Sequence, residues 1–298
     1  MRISSIELHA ACQVSTPLLD ACAREGIPVL LATPGQAPLF IIGQQAEARR
    51  HRALAAHHGA WTGLDEARRA RIAARLIDAK LAACALLVRQ RYSASDHHLM
   101  AQIQRARAAL GRTARIGAFE RRQHRGQTQD PVNLALNYGY ALLRHRVGTV
   151  VRLAGLDPYL GILHEANGRH DALVSDLMEP YRPSIDRLVL RLISLNVLQA
   201  KSFVEEDGAL LIATDARMRI VQSFTRMLDA TPRHGGLALH AHLRRSVESY
   251  RDATQESALA DWTPNLLSAR PESADDFVAD GDGRSPEVFD GEESDAIP

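Results

Sequence analysis

The chain has 298 residues, of which 46% are hydrophobic and only 5% aromatic, with 36 basic and 35 acidic side chains. This length allows two domains, and a composition rich in alanine, leucine and arginine favours a mostly helical protein. Apolar runs are too short for a membrane span, and we expect no secretory signal and a cytoplasmic location. Since the cysteines lack paired spacing, we expect free thiols rather than a zinc site at Cys12, Cys22 and Cys84.

The net charge of +1 conceals two parts of opposite sign. Residues 271–298 contain ten acids and one arginine, whereas residues 1–270 carry 35 basic and 25 acidic side chains. We expect the acidic segment to be disordered, and the basic remainder favours a polyanionic partner. An arginine-rich coding bias, which would only decorate solvated helix faces, is the alternative explanation of the basic charge.

Residues 1–43 alternate between extended and helical patterns and predict a small α/β unit. A helix is expected with Thr16 as its N-cap, Pro17 in its first turn and Gly26 at its C-terminal end. Short strands are predicted at "SIELHA", "IPVLLAT" and "PLFIIG".

From about residue 64 onward the hydrophobic periodicity is helical. The strongest helix is expected to follow Asp130 as its cap, with Pro131 in its first turn, and to end at Gly155. The predicted class is therefore α+β. It comprises a small β-rich N-terminal domain with a linker, a larger all-helical domain and an acidic tail, at residues 1–60, 61–270 and 271–298.

The stretch "GILHEANGRHDALVSDLMEPYRP", residues 161–183, groups histidine and carboxylate side chains. If its second half is helical, Asp176 and Glu179 share a face, and His164 reaches them across a turn. One imidazole with one or two carboxylates suits Mn²⁺ or Mg²⁺. The alternative is a polar loop before an ordinary helix, in which Asp176 is a cap and Glu179 pairs with Arg182.

Three blocks of the sequence resemble a known family. "DPVNLALNYGYALL", "AGLDPYLGILHE" and "LVSDLMEPYRPSIDRLVLRLI" follow one another in the order and spacing seen in Cas1, the CRISPR-associated spacer-acquisition nuclease and integrase. The resemblance is close over residues 130–195 and looser over residues 1–90. Three ordered blocks are a more specific signal than a single motif.

The resemblance implies that His164 and Glu179 bind Mn²⁺ or Mg²⁺, with Asp176 as an adjacent catalytic acid. The family's third ligand, a glutamate upstream of the "DPVN" block, has no matching stretch, and Glu120 is the nearest acid. The family's opening β-hairpins also lack a counterpart, so we expect a shortened N-terminal domain.

The resemblance places Asn133, Asn137 and Tyr138 next to the site, either as support or as ordinary packing. It places Arg182 where it could orient Glu179, contact DNA phosphate or form a simple salt bridge. The basic charge of the chain makes further arginines candidates for phosphate contact, with solvated surface charge as the alternative: Arg68, Arg71, Arg121 and Arg122.

The resemblance also implies an activity. A prespacer 3′-hydroxyl would attack a phosphodiester at the edge of a CRISPR repeat, with double-stranded DNA, a second copy of the chain and a small Cas2-type protein as partners, away from any membrane. Two alternatives stay open. One is a catalytically impaired homologue that only binds DNA or its Cas2-type partner, and the other is an unrelated metal-dependent phosphohydrolase built on His164, His170 and Asp171.

Overall fold

The computed structural model shows an α+β protein that is mostly helical and has two small sheets, in agreement with the expected class. None of the helices it describes combines the length and apolarity needed to cross a membrane. Glu120, Arg121, Arg122 and the acidic segment 271–298 lie outside the described residues. The described residues are 3, 6–9, 13–32, 39–41, 44–91, 97–110, 130–164, 170–206, 208–231 and 236–265.

The secondary structure elements of the described ranges are numbered in chain order. The helices are α1 (Thr16–Glu25), α2 (Gln44–Thr62), α3 (Glu66–Arg91), α4 (His97–Leu110), α5 (Pro131–Leu153), α6 (Ala172–Met178), α7 (Arg182–Ser194), α8 (Thr214–Asp229) and α9 (Leu239–Gln255). The strands are β1 (Ile6–His9), β2 (Val29–Ala32), β3 (Leu39–Ile41), β4 (Phe203–Glu206) and β5 (Ala209–Ile212). A 3₁₀ turn, Glu179–Tyr181, connects α6 to α7.

The N-terminal sheet consists of the three strands predicted from the sequence. β1 and β2 pair in parallel, with α1 in the connection between them, and β3 pairs antiparallel with β2. Helix α1 begins at Thr16, so Ser15 holds the N-cap position, and the prediction of Thr16 was wrong by one residue. Gly26 ends the helix at a φ of 65°, a left-handed conformation that costs glycine little.

Helix α2 occupies the segment that the sequence predicted only as a linker. It packs against α9 and also against the C-terminal end of α5. At Gly155, where φ is 76°, an added Cβ would lie 3.1 Å from the Ala53 Cβ and 3.1 Å from the Arg50 Cα. A side chain at this position would therefore push α2 away from α5, and glycine permits the close contact.

The core lies among the long helices of the C-terminal part. Its fully buried side chains include Leu143 of α5, Ile185 of α7 and Tyr250 of α9. Helices α5 and α7 approach closely at Gly139, where an added Cβ would lie 2.6 Å from the Ile185 Cγ2. This contact holds the helix of the "DPVN" block beside the "EPYRP" segment.

His57 of α2 is a buried histidine at the contact with α9. Its Nδ1 accepts a hydrogen bond from the backbone N–H of Asp157 at 3.1 Å, and its ring lies edge-on to Tyr250 with the centroids 5.7 Å apart. Burial lowers the pKa of His57 from 6.5 to about 4, against the opposing effect of the Asp157 carboxylate.

We expect His57 to make the protein less stable as the pH is lowered. Its pKa is lower in the folded than in the unfolded chain, so the unfolded chain binds more protons and stability is lost as the pH falls from 6.5 towards 4. Between pH 7 and pH 5 this group should remove about 2 kcal/mol from the free energy of unfolding. His57→Gln should lose that pH dependence in urea titrations, whereas His170→Gln, an exposed control, should keep it. Equal pH dependence in both variants would contradict this assignment.

Candidate active site

Asp176 organises the loop that carries His164. This residue of α6 is fully buried, and its carboxylate accepts hydrogen bonds from three consecutive backbone N–H groups. The donors are Ile162 at 2.5 Å, Leu163 at 3.0 Å and His164 at 2.9 Å. Three such bonds stabilise a carboxylate that would otherwise be costly to bury. Asp176 therefore fixes the backbone of the loop at residues 162–164, and it does not act as a helix cap.

The same carboxylate orients the His164 ring. The Nδ1 atom lies 2.6 Å from Asp176 Oδ1, so Nδ1–H donates and the lone pair stays on Nε2. Nε2 lies 4.0 Å from Oε1 of Glu179, and the His164 side chain is 42% exposed. Metal-binding histidines are commonly held in this way, with the other ring nitrogen donating to a carboxylate.

Glu179 begins the 3₁₀ turn between α6 and α7, and its side chain is only 7% exposed. Its Oε2 lies 2.7 Å from the Lys80 Nζ, and its Oε1 lies 2.8 Å from the Arg182 Nε. The Arg182 contact is an ion pair rather than an aligned hydrogen bond, since Nε has no hydrogen-bond partner among the described residues. Two cations thus compensate one buried carboxylate.

Lys80 is absent from the residues that the sequence predicted for the site. Helix α3 packs against the 3₁₀ turn and brings the Lys80 ammonium to Glu179. One signal was present, because Lys80 is one of only two lysines among 36 basic residues. A compact ammonium on a flexible stem suits a single buried carboxylate oxygen better than the planar fork of arginine does.

Tyr140 connects α5 to the site. The Arg182 guanidinium lies over the Tyr140 ring, 5.0 Å from its centroid, which is a favourable cation–π arrangement. The Tyr140 hydroxyl donates a hydrogen bond to Asp186 of α7. The Arg182 guanidinium thus contacts both the Tyr140 ring and the Glu179 carboxylate.

The other residues predicted to support the site lie elsewhere on α5. Tyr138 is partly buried and packs against the core. Asn133 is exposed, and its amide donates to Asp130 Oδ2 at 2.5 Å, at the N-terminus where Asp130 caps the helix as predicted. Asn137 is exposed on the same helix. Of the arginines predicted to contact phosphate, the two within the described ranges are exposed on α3, Arg68 and Arg71.

The structure gives no support to a site built on His170 and Asp171. His170 is exposed, and Asp171 forms an ion pair with Arg144 at 3.2 Å. Within the described ranges, no hydrogen bond or ion pair joins either residue to His164. His164, His170 and Asp171 form no group of three side chains suited to a metal ion in the described part of the chain.

His164 and Glu179 are the side chains that could hold a divalent ion. No group of three histidine, cysteine or acidic side chains suited to an ion is found in the part of the chain that the structure describes. The His164 Nε2 and the Glu179 Oε1, 4.0 Å apart, are close enough for one ion to contact both. An imidazole nitrogen and a carboxylate oxygen could hold a divalent ion in place of the contacts that Glu179 makes with Lys80 and Arg182.

Comparison with known proteins decides the family. The family model described as CRISPR associated protein Cas1 matches residues 1–118 and 115–226 of the chain. The chain belongs to the Cas1 family. It is similar to "CRISPR-associated endonuclease Cas1 1" of Thermus thermophilus, with 31% identity over 250 residues that cover 76% of each chain.

Solved structures with the same fold include a chain of a Cas1–Cas2 complex and a casposase. This Cas1 protein matches a chain of a partial Cas6-RT-Cas1–Cas2 complex with a TM-score of 0.70 and 18% identity, over 88% of both chains. It matches a casposase bound to integration product with a TM-score of 0.62 and 20% identity, over 88% of this chain and 87% of the other. At these identities the similarity establishes the fold.

Proposed function

We propose that this Cas1 protein is a metal-dependent DNA endonuclease and integrase of CRISPR adaptation, which inserts spacer DNA into the repeat array by transesterification. The observation that carries the proposal is the His164 ring, which Asp176 orients and whose Nε2 lies 4.0 Å from the buried Glu179 carboxylate. The endonuclease name of the Thermus relative and the fold shared with an integration-product complex support the same reaction class.

Each residue of the site has a role in this chemistry. His164 and Glu179 would hold Mn²⁺ or Mg²⁺, which when bound polarises the phosphoryl group and stabilises the leaving oxygen. Asp176 keeps the proton on His164 Nδ1, so that Nε2 presents its lone pair. Lys80 offsets the charge of the buried Glu179 carboxylate until an ion binds. Arg182, held over Tyr140, offers a guanidinium that can donate to a phosphate oxygen.

The proposed partners follow from the charge and from the comparisons. Ten more basic than acidic side chains in residues 1–270 suit double-stranded DNA as prespacer and repeat, bound through its phosphates. A chain of a Cas1–Cas2 complex shares the fold, which supports a Cas2-type partner. The family resemblance implies that two copies of the chain form a homodimer.

A second candidate function is a catalytically impaired homologue that binds DNA or the Cas2-type partner without chemistry. Lys80 and Arg182 already neutralise Glu179, and the described residues supply two metal donors rather than three. A site with fewer protein ligands binds its ion more weakly and positions it less well.

A Lys80→Met variant tests the first function against the second. If Glu179 binds an ion, the nearby ammonium opposes that ion, so its removal should lower the Mn²⁺ concentration for half-maximal activity by roughly tenfold. Plasmid nicking and half-site integration into a repeat duplex are measured against Mn²⁺, with EDTA blanks. Lys201→Met, at the only other lysine and exposed, is the control. A wild-type protein that binds DNA but neither nicks nor integrates at any Mn²⁺ concentration would establish the impaired homologue.

A further inference from the structure

The C-terminal half of α2 lies against the loop that carries His164. At the start of this loop, the Nδ1 atom of His57 accepts a hydrogen bond from the Asp157 N–H at 3.1 Å. One turn further along the helix, the indole Nε1–H of Trp61 donates a hydrogen bond to the Gly161 carbonyl at 2.9 Å. Helix α2 therefore contacts the loop at two points, and the second of them is three residues before His164.

One peptide group of this loop is held at both of its polar atoms. Its C=O belongs to Gly161 and accepts the hydrogen bond from Trp61, and its N–H belongs to Ile162 and donates to Asp176 Oδ2 at 2.5 Å. A hydrogen bond to the carbonyl polarises the peptide and strengthens the bond that its N–H makes. Rotation of this peptide plane would break both bonds, so α2 and α6 fix its orientation together.

The backbone around this peptide is tightly packed. Gly161 is buried, and an added Cβ would lie 2.6 Å from the Ala172 Cβ and 2.8 Å from the His164 carbonyl oxygen. The next two N–H groups, those of Leu163 and His164, donate to the same Asp176 carboxylate. A displacement of the Gly161 carbonyl would therefore be passed along the backbone to the His164 ring.

The Trp61 ring is itself held from α3. The Arg69 guanidinium lies over the ring, 4.0 Å from its centroid, and Arg69 also donates a hydrogen bond to the Trp61 carbonyl at 2.6 Å. Tryptophan is the aromatic side chain that binds a cation best over its face. These contacts fix the ring through its face and its backbone, which leaves the indole N–H for the Gly161 carbonyl.

We propose that Trp61 is a positioning residue of the active site: its indole N–H fixes the Gly161–Ile162 peptide and thereby holds His164 Nε2 towards Glu179 for a divalent ion. This rests on the proposed function, in which His164 and Glu179 hold that ion. Trp61 acts through the loop backbone, and α2 becomes part of what sets the geometry of the site.

Trp61→Phe tests this role, because it removes the indole N–H and keeps an aromatic ring beside Arg69. Mn²⁺ binding to the full chain is followed by electron paramagnetic resonance of the free ion, without DNA. The variant should bind Mn²⁺ about tenfold more weakly, the lower end of the roughly 10–100-fold range for residues that orient a metal ligand. In plasmid nicking, the Mn²⁺ concentration for half-maximal rate should rise equally, while the KM for DNA stays unchanged.

A second variant removes the N–H without loss of ring volume. Benzothienylalanine at position 61 keeps the two-ring shape and has a sulfur atom in place of the indole N–H. Its Mn²⁺ affinity should fall as in Trp61→Phe, because both variants leave the Gly161 carbonyl without its donor.

Trp262→Phe is the matched control. Trp262 is the only other tryptophan, and its indole N–H donates to Ser249 Oγ of α9 at 3.1 Å. This ring is more deeply buried than that of Trp61, so the melting temperature of the control should fall at least as far as that of Trp61→Phe. Its Mn²⁺ affinity should nevertheless equal that of the wild type.

Two results would overturn the role of Trp61 and leave the proposed function intact. One is wild-type Mn²⁺ affinity in both variants at position 61, and the other is an equal loss of affinity in Trp262→Phe, which would indicate general destabilisation. A wild-type chain that binds no Mn²⁺ would refute the proposed function together with the role of Trp61.

Discussion

Replacing His164 with alanine, or Glu179 with glutamine, is expected to reduce Mn²⁺-dependent nicking and integration by at least about a hundredfold. On the proposed function, His164→Ala removes one donor to the ion and Glu179→Gln removes the charge of the other, and the action of such an ion on a phosphoryl group is worth several kcal/mol. Glutamine keeps the volume of the buried Glu179 side chain while removing the charge that pairs with Lys80. The measurement is the initial rate of plasmid nicking and of half-site integration at saturating Mn²⁺.

His170→Ala is the matched control for His164→Ala. His170 is an exposed histidine that follows the same loop, and on the proposed chemistry its removal should change the rate less than about twofold. DNA affinity, followed by anisotropy, should be retained in every variant. Loss of activity in His170→Ala equal to that in His164→Ala would favour the phosphohydrolase alternative, and full activity in His164→Ala would refute the site.

Asp176→Asn should impair both stability and activity. The buried carboxylate accepts hydrogen bonds from three backbone N–H groups and from the His164 ring, whereas an amide offers one oxygen and turns its NH₂ towards other donors. Donors left unsatisfied in a buried site cost about 2–4 kcal/mol together. Without the carboxylate at Nδ1, the His164 ring loses its fixed tautomer, and activity should fall about tenfold to a hundredfold.

Two measurements on Asp176→Asn distinguish positioning from stability alone. Urea unfolding gives the stability loss, and the rate of the fully folded variant without urea gives the effect on His164. Asp171→Asn is the control, because this acid of the same region has a partly exposed ion pair with Arg144 worth at most about 1 kcal/mol. If Asp176→Asn is as stable as Asp171→Asn, or is fully active when folded, Asp176 does not have the role assigned to it.

Short patterns of the sequence predict much of the local structure. Strand alternation located β1, β2 and β3, and proline with glycine or aspartate located the ends of α1 and α5. These signals act within a few residues, through turn conformations and unsatisfied N–H groups, and so do not depend on distant parts of the chain. Spacing alone left a polar loop as an alternative, and the family resemblance selected His164 and Glu179, which the fold brings within 4.0 Å of each other.

Only the tertiary structure decided what these side chains face. Periodicity shows which side of α3 is buried, but the packing of that helix on the 3₁₀ turn placed Lys80 against Glu179. Likewise, Asp176 was predicted as an acid adjacent to the metal ligands, and the packing of α6 decided that its carboxylate accepts hydrogen bonds from the backbone of the preceding loop. Helix α2 packs against α9, which is far away in the chain. Partners of this kind depend on how helices pack, because a helical sequence determines its own faces and the assembled core determines which faces meet.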